Sequence, residues 1–177
     1  MPGSRKGAFE LDGNLGLKSL PTPTDSGMQL RLAVFPTLTA ALDYAAQGQT
    51  GFNYYNGRGD LTAVLPYSEL REKARALARK LQALGRGARV ALVAHTHPDF
   101  MVVFYACQYA GLVPVPLPAA IHLGGHEAYV RHLRQMIADC KAAAAFAPDD
   151  FISLLREAVS GLDVAVTGTL SDFDAMP

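Results

Sequence analysis

The most regular pattern of apolar and polar positions in this chain begins at residue 90. Residues 90–94 are a short continuous apolar run, which predicts a strand that is covered on both faces. Residues 99–110 have the composition of a helix and end at Gly111, a common helix stop. A second apolar run over 112–117 follows directly. Two apolar strands joined by a helix of this length predict a parallel βαβ unit.

The same alternation continues along the chain. The later predicted elements are a helix over 126–139, a strand over 142–147, a helix that ends at Ala158 and a strand over 162–166. The order from residue 89 is therefore β-α-β-α-β-α-β, which is typical of an open, mostly parallel sheet with helices on both faces. We expect Thr96 to cap the helix over 99–110, and Asp149 or Asp150 to cap the helix that ends at Ala158.

A β-hairpin is predicted before this alternating region. Residues 51–56 and 61–65 alternate in character, and turn-forming residues at 57–60 separate them. Upstream of the hairpin, we expect a short helix capped by Thr37 or Thr39, with the apolar residues at 38, 41, 42 and 45 on one face.

The clearest helix in the sequence spans residues 67–84. Its apolar stripe at helical spacing consists of Leu70, Ala74, Leu77, Ala78, Leu81 and Leu84. Charged residues cover the remaining surface, and this division predicts a helix whose apolar stripe faces the core.

The two ends of the sequence show no such pattern. Residues 1–27 are rich in Gly, Pro, Ser and Thr, and we expect them to form a flexible tail. The polar run 168–172 has no evident packing partner, and no capping element precedes Pro177. We therefore interpret residues 28–177 as part of a longer domain.

Composition narrows the class of protein. Of the 177 residues, 50% are hydrophobic and 18% are charged, which is typical of a globular domain. Sixteen Lys and Arg balance sixteen Asp and Glu, so the net charge argues against nucleic acid or an acidic membrane surface as the main partner.

No apolar run approaches the roughly 20 residues of a membrane span. Cys107 and Cys140 lie on predicted helices among apolar residues; we interpret them as buried thiols of a cytoplasmic protein rather than a disulfide.

Candidate chemistry concentrates where the predicted strands end, since ligands of open α/β sheets bind beyond the carboxyl ends of the strands. Four of the five histidines fall in these loops: His95, His97, His122 and His126. Their spacing matches no zinc motif. Gly124 and Gly125, which precede a helix, could offer amides to an anion, but a simple turn is the interpretation we favour. We find no nucleophile elbow and no glycine-rich phosphate motif.

Several short segments carry a family resemblance. Residues 67–70 read Tyr-Ser-Glu-Leu at the head of the long helix, and residues 89–92 read Arg-Val-Ala-Leu. Residues 104–107 then read Phe-Tyr-Ala-Cys, and 110–117 read Ala-Gly-Leu-Val-Pro-Val-Pro-Leu. These segments resemble those of the adenylate-forming enzymes, the acyl-CoA synthetases and their relatives. Pro66 departs from the pattern because the family usually has Thr or Ser as the helix cap, a hydrogen bond of about 1 kcal/mol.

Within that superfamily, the chain looks most like the fatty acyl-AMP ligases. This resemblance rests on the run Val-Pro-Val-Pro-Leu over 113–117, on the helix that follows it, and on the small-residue strand over 142–146. It covers roughly residues 36–177. It implies a ligase that converts a fatty acid and ATP to an acyl-adenylate, and then transfers the acyl group to a carrier protein or to CoA.

The resemblance also implies where the reacting groups lie. The phosphate loop, the Mg²⁺ that offsets phosphate charge and the catalytic lysine of such enzymes have no counterpart in these 177 residues. We therefore expect the chain alone to be inactive and to hold neither ATP nor Mg²⁺, and we assign no catalytic, cofactor-binding or metal-binding residue. Residues 95–100 and 118–126 are expected near one wall of the acyl pocket, or else on a buried scaffold face.

Two other interpretations stay open at this stage. One is a stand-alone binding module of flavodoxin-like shape, and the other is a scaffold segment of a polyketide or nonribosomal peptide synthetase. The superfamily interpretation further implies exposed apolar surface on an isolated fragment, through which two copies could form a dimer.

Overall fold

A computed structural model describes residues 28, 32, 34–119 and 125–176 of the chain. In chain order, the helices and strands are α1 (Leu38–Ala45), β1 (Gly51–Tyr55), β2 (Leu61–Pro66), α2 (Tyr67–Leu81), β3 (Arg89–Ala94), α3 (Pro98–Ala110), β4 (Val113–Pro118), α4 (Gly125–Cys140), β5 (Ala144–Phe146), α5 (Ile152–Val159), β6 (Val166–Gly168) and α6 (Leu170–Asp174). The predicted tail at residues 1–27, His122, Gly124 and Pro177 lie outside the described residues.

The predicted parallel sheet is confirmed. Its four strands lie in the order β4-β3-β5-β6, and every neighbouring pair is parallel. Leu92 in the middle of β3 is in register with Pro116 on one side and with Phe146 on the other. Because β3 is a central strand, its side chains are buried on both faces, which explains its continuous apolar sequence.

Helices cover both faces of the sheet, as predicted. On one face, Val90 and Leu92 of β3 pack into a core with α2, α3 and the hairpin. On the other face, Ala91 and Val93 pack against α4 and α5. Since side chains alternate along a strand, this division of β3 between two cores follows from the period of two. The stripe on α2 is buried from Leu70 to Leu81.

The predicted hairpin is also confirmed, with β1 and β2 antiparallel. Asn56 closes its turn, because the Asn56 side-chain oxygen accepts hydrogen bonds from the amides of Arg58 and Asp60 at 2.9 and 3.0 Å. Upstream, Thr37 caps α1 by accepting from the Ala40 amide at 3.1 Å. On α1 itself, Leu42 is buried but the predicted inward position Leu38 is 52% exposed.

The last predicted strand, 162–166, is wrong in position. The observed strand β6 begins only at Val166, which is in register with Ala144 of β5. Strand β5 has three residues, so it can align only three residues of its neighbour. Leu162 and Val164 pack against the core beside α4 and α5 instead of joining the ladder. Their apolar character therefore reflects burial of a loop rather than strand pairing.

The polar run 168–172, for which we expected no packing partner, leads into helix α6. Thr169 forms a capping box with Asp172: the Thr169 hydroxyl accepts from the Asp172 amide, and the Asp172 carboxylate accepts from the Thr169 amide. The helix places Phe173 in the core, where it is fully buried against Phe146 with ring centroids 6.2 Å apart. Thr169 and Asp172 in this polar run are thus helix-capping residues.

Two predicted helix caps are wrong. The N-cap of α3 is His97 rather than Thr96, and His97 Nδ1 accepts from the Asp99 amide at 3.3 Å. An imidazole nitrogen can replace the usual hydroxyl because it too is an acceptor when unprotonated. Neither Asp149 nor Asp150 caps α5, because both lie in a 3₁₀ turn before it and the helix has no side-chain cap.

Candidate functional site

The topology of the sheet identifies the edge at which a ligand site is expected. From β3 the chain crosses to β4 on one side, and then returns to β5 on the other. In open parallel sheets, a crevice forms beyond the carboxyl ends of the strands at such a reversal. Here His95 follows β3 and Phe151 follows β5, and their rings are in contact with centroids 5.2 Å apart.

A cavity of about 250 Å³ lies beside this contact. Its wall consists of Phe52, Tyr54, Ala94, His95, Thr96, His97, Phe100 and Met101. The loop after β3 supplies the polar rim, where Thr96 and His97 are exposed. The hairpin strand β1 and the first turn of α3 supply the aromatic and thioether side chains. The cavity is therefore mainly apolar, as ligand pockets generally are.

The Asp99 carboxylate contributes to the electrostatics of this edge. Asp99 faces His97, with 3.5 Å between Asp99 Oδ2 and His97 Nδ1. Burial raises the pKa of Asp99, and the adjacent His97, when it is protonated, opposes that shift. Burial also raises the pKa of the Tyr54 hydroxyl, and the negative charge of Asp99 raises it further. His97 and Tyr54, two residues of the cavity wall, thus lie in the field of the Asp99 carboxylate.

The structure brings together only some of the predicted site residues. His95 and His97 both line the cavity. His126 lies elsewhere, where its Nε2 is 2.7 Å from Glu157 Oε2 and so joins α4 to α5. The Pro118 carbonyl accepts a hydrogen bond from the Tyr129 hydroxyl at 2.9 Å.

Sequence reasoning missed the contribution of the hairpin to the cavity. Phe52 and Tyr54 are two residues apart on β1, so their side chains share the face that packs toward α3. Aromatic residues at alternate positions of a predicted strand were the available signal for a buried face. Which cavity that face would line depends on packing between distant segments.

The described residues offer little reactive chemistry. Among them, no group of three or more His, Cys, Asp or Glu is placed to hold a metal ion. Cys107 is fully buried, and burial raises the pKa of its thiol to about 12, so this residue is not a nucleophile near neutral pH. In the part of the chain that the structure describes, no helix is long and apolar enough to cross a bilayer.

Comparison with known proteins yields consistent similarities in sequence. The family profile described as AMP-binding enzyme matches residues 45–177. A protein of Caulobacter vibrioides named "Putative acyl-CoA synthetase" is 44% identical over 153 residues, covering 85% of this chain and 27% of that protein. A medium-chain-fatty-acid–[acyl-carrier-protein] ligase of Moorena producens is 31% identical over 133 residues, covering 72% of this chain and 22% of the ligase.

Two solved structures are also similar to this chain. One from a study of fatty acyl-adenylate ligases of E. coli and L. pneumophila is 39% identical with a TM-score of 0.76, covering 83% of this chain and 27% of that chain. An adenylation domain of a keto acid-selecting NRPS module has a TM-score of 0.65 at 20% identity, covering 79% and 27% of the two chains, and is similar in fold alone. The chain thus spans about a quarter of the length of these relatives.

Proposed function

The chain belongs to the AMP-binding enzyme family, and from this membership we propose that residues 28–177 are the N-terminal part of the large domain of a fatty-acid-activating ligase. In the proposed reaction, a fatty acid and ATP form an acyl-adenylate and pyrophosphate. The acyl group then passes to the phosphopantetheine arm of a carrier protein or to CoA. The similarity in both sequence and fold to a fatty acyl-adenylate ligase structure is the observation that carries this proposal.

In this proposal, the described residues form a wall and a scaffold rather than the reacting centre. The apolar cavity at the carboxyl edge would exclude water from an apolar substrate beside it. The described residues do not form a magnesium site, and the carboxylate of Asp99 would repel phosphates at this edge. We therefore propose that the phosphates, the metal ion and the catalytic lysine are held by parts of the enzyme outside this segment.

A stand-alone flavodoxin-like module is less well supported, because the family profile extends over most of the chain and is that of an enzyme. A scaffold segment of a nonribosomal peptide synthetase is supported only by fold, at 20% identity. The 31% sequence identity to a medium-chain-fatty-acid–[acyl-carrier-protein] ligase instead favours a fatty acid as the substrate.

ATP–pyrophosphate exchange tests the proposal. The protein encoded by the complete reading frame and a protein of residues 1–177 are assayed in parallel with fatty acids of several chain lengths, with an amino acid and without acid. We expect exchange only with the complete protein and only with a fatty acid. Exchange by residues 1–177 would refute the placement of the reacting groups, and exchange driven by the amino acid would refute the substrate class.

The acceptor needs a second measurement. After adenylate formation, the complete protein is offered either CoA or a carrier protein bearing phosphopantetheine, and mass spectrometry reads the thioester. We propose the carrier protein as the acceptor, on the similarity to a carrier-protein ligase. Acyl-CoA as the sole product would overturn that choice while leaving the adenylation step intact.

A further inference from the structure

Strand β4 lies at one end of the described sheet, so only one of its two sides is paired there, with β3. The Val113 amide donates to the carbonyl of Ala88, the residue before β3, at 2.9 Å. Along a strand, the N–H and C=O groups of successive residues point to opposite sides, so every second residue bonds to the same neighbour. The amides of Val115 and Leu117 therefore also face β3. The residues whose backbone groups face the free side are 114, 116 and 118.

All three residues that face the free side are proline: Pro114, Pro116 and Pro118. Proline has no N–H, so a sheet accepts it only where no ladder hydrogen bond has to be donated. A strand that approached β4 on this side would find carbonyl acceptors at these positions but no N–H donor. The Pro118 carbonyl already accepts from the Tyr129 hydroxyl at 2.9 Å. A regular ladder therefore cannot form on the free side of β4.

The length of β4 explains why such protection matters. An unpaired strand edge is a template for another chain, and proteins protect such edges with proline or keep the edge strand short. At the opposite end of the described sheet, β6 has only three residues and contains no proline. Strand β4 has six residues, as many as the central strand β3. The donors are thus missing from the longer of the two outer strands.

We propose that the free side of β4 is a surface closed to strand pairing, which prevents a second copy of this chain from extending the sheet there. Two copies related by a two-fold axis would pair their β4 strands antiparallel, and each copy would need N–H donors from positions 114 and 116. This inference goes beyond the proposed ligase function and does not depend on it, because it rests on the register and sequence of β4 alone.

Hydrogen exchange followed by NMR tests the direction of the backbone in residues 1–177. In Pro116→Thr, the new amide at position 116 should exchange at least roughly tenfold faster than the amides of Val115 and Leu117, because it faces solvent while they bond to β3. Circular dichroism should show an unchanged fold. Equal protection of all three amides would overturn the proposal, since it would show that the free side is already paired.

Sedimentation velocity over a range of concentrations tests the closure itself. Pro114→Thr/Pro116→Thr restores both donors, and we expect this double variant to associate at a concentration at least roughly tenfold below that of the wild type. Val113→Thr/Val115→Thr is the matched control, because it places the same side chains in the same strand at positions whose amides already face β3. It should sediment like the wild type.

The comparison of the two double variants decides the proposal. Association of the proline variant alone would support it, since only that variant gains donors on the free side. Equal sedimentation of the two variants would refute it, because restored donors would then make no difference. If the proline double variant does not fold, the exchange rate at position 116 in the single variant remains decisive.

Discussion

The Tyr109 hydroxyl on α3 donates a hydrogen bond to the Asp43 carboxylate on α1, with 2.8 Å between the two oxygen atoms. Arg71 on α2 binds the same carboxylate oxygen through Nε at 2.6 Å. One side chain of a short helix is therefore joined to both long helices on that face. Burial raises the pKa of Asp43, but the hydrogen bonds from Arg71 and Tyr109 more than offset it, and the net pKa is below its usual value.

This relationship predicts a pH dependence of stability. A carboxyl group whose pKa is lower in the folded state stabilises the protein above its unfolded pKa of about 4, and that contribution is lost as pH falls through the folded pKa. We expect Asp43→Asn to lower the free energy of unfolding at pH 7 by up to about 1 kcal/mol, a small value because the pair is partly exposed to solvent. Urea denaturation at pH 7 and pH 3 should show the difference shrinking at the lower pH. Asp150→Asn, at an exposed position, is the control, and a difference that grows toward pH 3 would contradict the prediction.

Substitution of Gly51 by a residue with a side chain should be sterically costly. A Cβ atom added there would lie 2.6 Å from Pro66 Cα and still closer to the Leu65 carbonyl oxygen, and both are backbone atoms of the paired strand. Because backbone cannot rotate away, we expect Gly51→Ala to destabilise the protein by about 1–3 kcal/mol. Gly57→Ala in the turn has nothing within 4 Å of the added atom and should stay within about 0.5 kcal/mol of the wild type. Thermal and urea denaturation measure both, and equal stabilities of the two variants would refute the steric explanation.

Phe173 tests whether α6 is an integral part of the core. Its side chain is fully buried and meets Phe146 edge to face. We expect Phe173→Ala to cost about 3–5 kcal/mol, the usual loss for a buried aromatic ring. Ser171→Ala lies on the same helix at an exposed position and should be nearly neutral. If both variants unfold at the same denaturant concentration, α6 does not contribute to the cooperative core.

The parallel sheet was predictable because β3 is a continuous apolar run. The helix that follows it, α3, is long enough to be recognised from the sequence. Helix α6 was not predictable, since five residues are too few to show a helical period, and Phe173 alone carries its buried face. The cap of α3 was missed because histidine is not among the common capping residues. The cavity joins Tyr54 to His95 across about 40 residues of chain, and a contact between such distant segments leaves no local signal in the sequence.

Cys107 provides a test of its own description as a buried, unreactive thiol. Because burial raises the pKa of its thiol to about 12, the thiol stays protonated at pH 8, and reactivity should rise only as pH approaches that value. We expect no alkylation of Cys107 by iodoacetamide in the folded protein, and complete alkylation in urea. Cys140 is the internal comparison, since it is only partly buried and its raised pKa has the same cause. Peptide mass spectrometry separates the two sites. Rapid modification of Cys107 under native conditions would mean that α3 opens from the core, and would contradict the description of this thiol as unreactive.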